Sequence, residues 1–427
     1  MSNVDEDDDE PVVQKVNEPY PQISVVSFNC WGLWIISKRR KARLGAIADR
    51  IAEGDYDIVA LQEIWVREDY VNLRKKTSST LPYGKYYYSG VFGGGLAVLS
   101  KYPILGSSMF KYPLNGRPIA VWRGDWYVGK GVACASLQHP SGQIIELFNT
   151  HLHAPYAEKF DTYMCHRTAQ AWELAKMIRG AVQRGRIVLA VGDFNSTPDS
   201  LTHELITRYG LVVDSWQCIS RKTEDIHSTS LSALQNIELL GATCDSSINT
   251  WRRNHGDGDM HDPDAQRLDY VFCDPGTLTV NTAQVLFTDI HPDLGCSYSD
   301  HFGIHVRLAL KASAVNHSSV RREIVDQVLL MIDDYRVRQQ TQSKLRLLHF
   351  YASIVALIAL HIGIFWSPHN WVSFILLFVV FVISVTGLID GVIGFVFGWT
   401  ELNCLAEFAA EVNLLRATIG KSPKLVA

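Results

Sequence analysis

Side chains able to do chemistry stand directly beside short apolar runs in this sequence: Asn29, Glu63, Asn149 with His151, Asp193 with Asn195, Asp269, and Asp300 with His301. Glu63, Asn29 and Asp300 are hard oxygen donors of the kind that suits Mg²⁺, with Mn²⁺ able to substitute. Such an ion binds through one or two carboxylates and keeps room for water and phosphate. His151 and His301 can give and take protons near neutral pH. Asp269 can accept a hydrogen bond from one ring nitrogen of His301 and fix which nitrogen acts as base. Asn149 and Asn195 can donate to phosphoryl oxygens. Together these types describe metal-assisted hydrolysis of a phosphodiester. Each residue alone is more often structural, and a Gly-Asp-x-Asn is often just a turn. The set and its order along the chain carry the reading.

Elements of an α/β protein must position them. Strands are predicted at Ile23–Phe28, Ile58–Leu61, Leu96–Leu99, Gly131–Leu137, Ile144–Asn149, Ile187–Val191, Leu268–Phe272 and His301–Leu310, short and apolar or alternating. Helical spacing covers Arg39–Glu53, with Leu44, Ile47, Ala48 and Ile51 on one face, and Phe160–Arg179, stopping at Gly180. Many strands with few helices point to two packed sheets under outer helices. The 427 residues are 47% hydrophobic, which excludes wholesale disorder, and 40 basic against 44 acidic residues disfavour a nucleic-acid binder. The eight cysteines form no C-x-x-C pair and are expected as reduced thiols.

The C-terminal part reads differently. Between Leu345 and Thr400 the charged residues are Arg346 and Asp390, and two apolar runs, Leu347–Trp366 and Trp371–Trp399, are joined by Ser367-Pro368-His369-Asn370. Each run reaches or exceeds the ~20 residues that cross a bilayer as a helix, and tryptophans sit at the boundaries. Basic residues flank the hairpin and avoid its turn, placing both ends in the cytosol. His349, His361 and Asp390 lie inside the runs and are expected to hydrogen-bond across the pair. Before them, Ile324, Val328, Met331, Ile332 and Tyr335 form a helical stripe expected to pack on another helix or on the enzyme domain, the alternative being to lie along the membrane surface. The expected organisation is a disordered acidic tail (1–21), a catalytic domain (22–310), a linker and amphipathic helix (311–346), a transmembrane hairpin (347–399) and a cytosolic tail (400–427).

The ordered set Asn29, Glu63, Asn149-Thr150-His151, Gly192-Asp193-Phe194-Asn195, Leu268-Asp269-Tyr270 and Ser299-Asp300-His301 resembles the endonuclease/exonuclease/phosphatase superfamily over roughly residues 22–310. The resemblance implies its DNase I-like fold, a four-layered α/β sandwich. It also implies Glu63 as principal Mg²⁺ ligand beside Asn29 and near Asp300, and His301 as water-activating base oriented by Asp269. Asp193 and Asn195 would position water and phosphate, and His151 would contact the phosphoryl or leaving-group oxygen. Asn29-Cys30-Trp31-Gly32, Gln62-Glu63-Ile64-Trp65 and His166-Arg167 resemble the neutral sphingomyelinases. The segments Asn115-Gly116-Arg117-Pro118, Arg123-Gly124-Asp125-Trp126-Tyr127-Val128-Gly129-Lys130 and Cys244-Asp245-Ser246 are similar to their fungal branch, the inositol phosphosphingolipid phospholipases C.

That resemblance implies a membrane-bound phospholipase C releasing ceramide and a phosphorylated head group, with an anionic phospholipid as activator. It implies Asp125 and Lys130 as a regulatory switch. Arg117 and Arg123 become candidates for extra head-group phosphate or hydroxyls. The endoplasmic reticulum is the expected compartment, mitochondria the second. The alternatives are a nuclease, deadenylase or inositol polyphosphate phosphatase of the same superfamily, or a non-catalytic membrane scaffold.

Overall fold

The computed structural model describes residues 22–91, 93–156, 161–219, 231–252, 255–256, 258–259, 261–311 and 321–419. The acidic tail, the linker from Ala312 and the last basic residues fall outside them. Two six-stranded sheets stack face to face. The first runs β11 (Leu278–Leu286), β14 (Gly303–Leu310), β1 (Gln22–Asn29), β2 (Ile58–Gln62), β4 (Leu96–Ser100), β3 (Tyr83–Tyr87). The second runs β5 (Ile104–Lys111), β6 (Gly131–Gln138), β7 (Ile144–His151), β8 (Ile187–Asp193), β10 (Asp269–Cys273), β9 (Val213–Asp214). A short ribbon of β12 (Ile290–His291) and β13 (Cys296–Ser297) leads back toward β14.

Alternation along the strands builds the layers. In β1, Ile23 and Val25 face the other sheet, while Val26 and Phe28 face helices Arg40–Glu53 and Arg67–Thr77. In β8, Leu189 and Val191 join the inter-sheet core, and Val188 and Ala190 meet Ala171, Leu174 and Ile178 of helix Met164–Gln183. Strands buried on both faces read as continuous apolar runs. The result is an α/β/β/α sandwich.

At the C-terminal side, one uninterrupted helix covers Arg322–Phe365. It merges the expected amphipathic helix with the first apolar run, because no Pro or Gly separates them. After a tight turn the chain returns through Asn370–Val392, a π-helical turn Ile393–Phe397, and Gly398–Thr418, well past the expected end at Trp399. A Cβ on Gly387, Gly391 or Gly394 would lie within 3 Å of Ser353, Phe350 or Leu347, so these small residues let the two backbones approach. Both arms contain a stretch long and apolar enough to cross a membrane, and only 6% of each stretch is buried. Apolar surface of that extent is not left in water. The stripe Ile324, Val328, Ile332 and Tyr335 packs with Leu405, Phe408 and Val412 against Trp172 and Ala169 of the sandwich.

Asp390 accepts from Arg346 and lies 2.8 Å from His349 Nδ1, tying one arm to the other. His361 instead bonds the Leu357 carbonyl of its own helix.

Candidate active site

Strand direction gathers the polar residues. β1 and β2 are parallel and put Asn29 opposite Gln62, one residue before Glu63. β7 and β8 are parallel and put His151 opposite Asp193; β10 is antiparallel to β8 and puts Asp269 opposite Asp193. β14 is antiparallel to β1, so His301, just ahead of it, returns to the same end. Side chains remote in sequence thus meet where the two sheets end together.

Asp193 is the centre of the cluster. Its carboxylate accepts from Asn29 Nδ2 at 2.9 Å and from the Asn195 backbone N–H at 2.9 Å. Its Oδ2 lies 3.4 Å from His151 Nε2 and 3.8 Å from His301 Nε2. His301 Nδ1 bonds Asp269 Oδ2 at 2.8 Å, leaving Nε2 toward Asp193 and the Cys244 thiol. Asn29 Nδ2 also approaches Glu63 Oε1 at 3.4 Å, and Ser299 Oγ lies between the Asn29 carbonyl and Asp300 Oδ1, 2.7 and 3.2 Å away.

Backbone strain is concentrated here. Glu63, Asn195 and Trp31 hold φ of 58°, 47° and 46°, each costing on the order of 1–3 kcal/mol and kept only because the surroundings impose it. Gly32 lies against Glu63, where a Cβ would sit 2.2 Å from the Glu63 carbonyl oxygen. Gly192, at φ 142°, passes Thr150 so closely that a Cβ would lie 1.9 Å from its oxygen. Only glycine allows the turn that aims Asp193 and Asn195.

Charge follows burial. Desolvation, with Asp300 next to it, pushes Glu63 up to about 7. Burial pushes His151 down to about 3, Lys130 adding to the effect, so His151 is neutral at physiological pH and holds no spare proton. Burial raises Asp193, but the His151 ring facing it and, with it, the charges of His301 and Lys130 outweigh burial and hold the carboxylate below its ordinary range. Burial disfavours a charged His301. The Cys244 thiol beside it is itself pushed up to about 11 and stays neutral, so Asp269 and Asp193 supply the charge that holds His301 well above the ordinary imidazole range.

A cation fits this donor set. Asp193, Asp269 and His301 offer ligand atoms that all lie within 4.8 Å of one another. The N–H···O bond between His301 and Asp269 already explains the closeness of those two. Independently, Glu63 Oε2 is buried with no hydrogen-bond partner, an acceptor left over beside Asn29. Buried acceptors are normally satisfied, and a hard divalent cation satisfies a carboxylate.

Two expectations change. Asn149 is fully buried, and its amide donates to the carbonyls of Leu61 and Ala97, both at 3.1 Å, while its oxygen accepts from Gln62 at 2.8 Å. With both N–H groups engaged it joins the sheets and has none left for a phosphoryl oxygen. Arg117 donates to Tyr335 Oη at 3.1 Å and the Thr162 carbonyl at 2.6 Å and stacks on Tyr163, placing it at the junction with the long helix. Arg123 stacks on Tyr156 and Tyr163.

Asp125 and Lys130 are paired at 2.9 Å, and both are about 5% exposed or less, so this is a buried ion pair. Lys130 Nζ also donates to the Leu152 carbonyl at 2.7 Å, and Asn195 Nδ2 donates to the same oxygen at 3.0 Å.

Sequence reasoning missed Arg43. Its guanidinium is fully buried and donates to the carbonyls of Lys38, Cys30, Trp31 and Tyr298, clamping the segments that carry Asn29 and Asp300. The signal was present: Arg43 stands four residues before Ile47 and eight before Ile51, in the apolar stripe of its helix. Gln62 and Ser299 enter the sequence reading only as members of motifs, with no role of their own.

The family model described as Endonuclease/Exonuclease/phosphatase family matches residues 26–301, spanning all of these positions. The chain belongs to this family. Among relatives in sequence, inositol phosphosphingolipids phospholipase C of Schizosaccharomyces pombe is 48% identical over 401 residues, 93% of this chain and 95% of the relative. The protein of the same name from Saccharomyces cerevisiae is 39% identical over 437 residues, 91% and 89% of the two chains. Sphingomyelin phosphodiesterase 2 of Homo sapiens is 39% identical over 180 residues, 42% of each. Among solved family folds, TDP2 from C. elegans superposes with a TM-score of 0.50 at 18% identity, covering 69% of this chain and 78% of that one. That likeness concerns the sandwich alone.

Proposed function

We propose that the chain is a membrane-anchored, Mg²⁺-dependent phospholipase C that hydrolyses inositol phosphosphingolipids, and sphingomyelin as a second substrate, to ceramide and a phosphorylated head group. The observation that carries this is the convergence of His301–Asp269, His151, Asp193 and Glu63 on a sandwich whose helices carry two membrane-length apolar stretches. The printed names of the full-length fungal relatives support the same substrate class.

Glu63, with Asn29 beside it and Asp300 near, would hold the Mg²⁺, Mn²⁺ substituting. When bound, the ion supplies charge stabilisation at the phosphoryl and departing oxygens. His301 takes the proton of the attacking water at Nε2, with Asp269 fixing Nδ1–H and steadying the imidazolium that forms. Loss of its resting proton, required of a base, would be favoured by a cation held at Glu63. Asp193 and Asn195 orient water and phosphate. Neutral His151 presents its N–H to an oxygen of the phosphate or of the leaving ceramide.

The same reading takes residues 22–310 as catalytic and 347–399 as the membrane hairpin, joined through 311–346. The acidic 1–21 and the 400–427 segment lie in the cytosol with the enzyme domain, at the endoplasmic reticulum or, second, at mitochondria. Asp125–Lys130 serves as a switch biased by anionic phospholipid, and Arg123 stands as the head-group candidate closest in sequence to it. The test is head-group release from vesicles containing inositol phosphoceramide or sphingomyelin, with Mg²⁺ or with chelator, by the parent chain and by His301→Ala. Release that requires Mg²⁺ and falls at least about 10³-fold in the variant, with its melting transition kept, is expected. Hydrolysis of RNA or soluble inositol phosphates in place of either lipid would overturn the reading.

A further inference from the structure

The segment Pro118–Arg123 carries apolar side chains that the fold leaves uncovered: Ile119 is 42% exposed, Val121 57% and Trp122 88%. It is held in place. Ala120 N–H donates to the Arg117 carbonyl, Arg123 N–H to the Ala120 carbonyl, and Tyr127 Oη donates to the Pro118 carbonyl at 2.7 Å. An indole fixed on such a turn is presented to something.

Its position says to what. Arg117, Pro118 and Ile119 share one recess with Ser343, Arg346 and Phe397 of the two helix arms. Trp126, which follows the turn, meets the Phe397 ring edge-on at 4.9 Å. The apolar run of the first arm starts at Leu347, one residue after Arg346, a rise of about 1.5 Å along the helix. The turn therefore sits where the helices pass from polar to apolar surroundings. Trp favours that boundary, with its ring among head groups and upper acyl chains.

We propose that Ile119, Val121 and Trp122 form a bilayer contact that dips into the lipid interface beside the helix pair and holds the active-site end of the sandwich against the membrane. The inference rests on the membrane-spanning reading of the helices. Because Asp125 and Lys130 lie in the stretch directly after this turn, lipid contact at Trp122 bears on the pair that leads to Leu152 and Asn195.

The experiment uses the full chain reconstituted in vesicles of phosphatidylcholine with phosphatidylserine. Trp122→Cys carries an environment-sensitive fluorophore. Ser79→Cys carries the same label as a reference, since Ser79 is exposed and precedes β3 at the end of the sheet opposite Glu63, and the unsubstituted chain reports background labelling. Lipids bearing a nitroxide high on the acyl chain should quench the label at 122 several-fold more than that at 79, with iodide showing the reverse order. Trp122→Asp should lower head-group release from vesicles about tenfold and leave hydrolysis of a short-chain soluble substrate unchanged. A label at 122 as open to iodide as that at 79 overturns the proposal. So does a label shielded from both quenchers, the result that contact with a second copy of the chain would give. Quenching does not depend on catalysis: a chain that turned over no ceramide phosphodiester, yet showed lipid quenching at 122, would refute the enzymatic reading and leave this one standing.

Discussion

Replacing Arg43 by Met tests whether the site is held by a clamp outside it. Met keeps much of the stem volume and removes the fork. Four hydrogen bonds are lost: to Lys38 O (2.9 Å), Cys30 O (3.1 Å), Tyr298 O (2.8 Å) and Trp31 O (2.7 Å). Lys38 is exposed and Trp31 partly so, and water replaces the donor there. The carbonyls of buried Cys30 and Tyr298 have no such substitute. At about 1.5–3 kcal/mol for each bond to a charged group, those two cost roughly 3–6 kcal/mol. The cation–π contacts with Trp31 and Trp251 are lost as well, at 4.6 and 5.5 Å. At ~2 °C per kcal/mol for a domain of this size, unfolding followed by circular dichroism in detergent should drop by roughly 6–12 °C. Arg43→Lys keeps the charge but not the fork and should fall between. A melting point for Arg43→Met within about 2 °C of the parent would refute the reasoning, since surface-like substitutions shift stability by no more than ~0.5 kcal/mol.

Asp269→Asn removes the acceptor that orients His301, and head-group release should fall about 10²–10⁴-fold without loss of fold; a drop of less than tenfold would assign Asp269 to structure. Asn149→Ala should cost about 2–4 kcal/mol, with three hydrogen bonds to buried partners lost, while the folded fraction keeps its rate to within a few-fold. Burial raises Asp214, yet Arg267 and His203 outweigh it and hold the carboxyl below its ordinary range. The stability it contributes is complete above pH ~4 and disappears as pH falls through the lowered folded value. Asp214→Asn should lower the neutral-pH melting point and flatten the acid limb of a melting-versus-pH series. For the buried Asp125–Lys130 pair, each single change, Asp125→Asn or Lys130→Met, should cost about 3–5 kcal/mol, and the double change clearly less than their sum. Additive losses in that cycle would show that the two do not act together.

Much of the fold was legible because it rests on local rules. The eight strands expected from apolar runs correspond to β1, β2, β4, β6, β7, β8, β10 and β14. Of the six overlooked, β9, β12 and β13 are two residues long, and the longer three, Tyr83–Tyr87, Ile104–Lys111 and Leu278–Leu286, lie at sheet edges, pair along only one side, and include exposed or half-exposed residues. Helix Arg67–Thr77 buries only Asp69, Leu73 and Thr77 and leaves no apolar periodicity to detect. At the site, chain order singled out residues that the fold brings together, but not which hydrogens were already committed. Asn149 and Asn195 look alike as amides after strands. Only the three-dimensional neighbourhood distinguishes the one locked between sheets from the one beside Asp193.

The Leu152 carbonyl has a part that no motif reports. One oxygen accepts both the Lys130 ammonium and the Asn195 amide, and its residue follows His151 directly. A carbonyl with two lone pairs accommodates both donors, yet the two compete for the same electron density. With Lys130 paired to Asp125 its positive charge is balanced within the pair, at 2.9 Å. Separating the pair leaves a buried ammonium uncompensated, or withdraws it and frees the carbonyl for Asn195 alone. Either change alters the field at His151 and Asp193, both of which respond to Lys130. The switch we propose would need no large movement of strands: shifting one lysine changes a hydrogen bond to the site and a unit of charge beside it. On the reading proposed above, the loop between Pro118 and Lys130, and not the sandwich, would carry sensitivity to the membrane, leaving undisturbed the strained turns that aim Glu63 and Asn195.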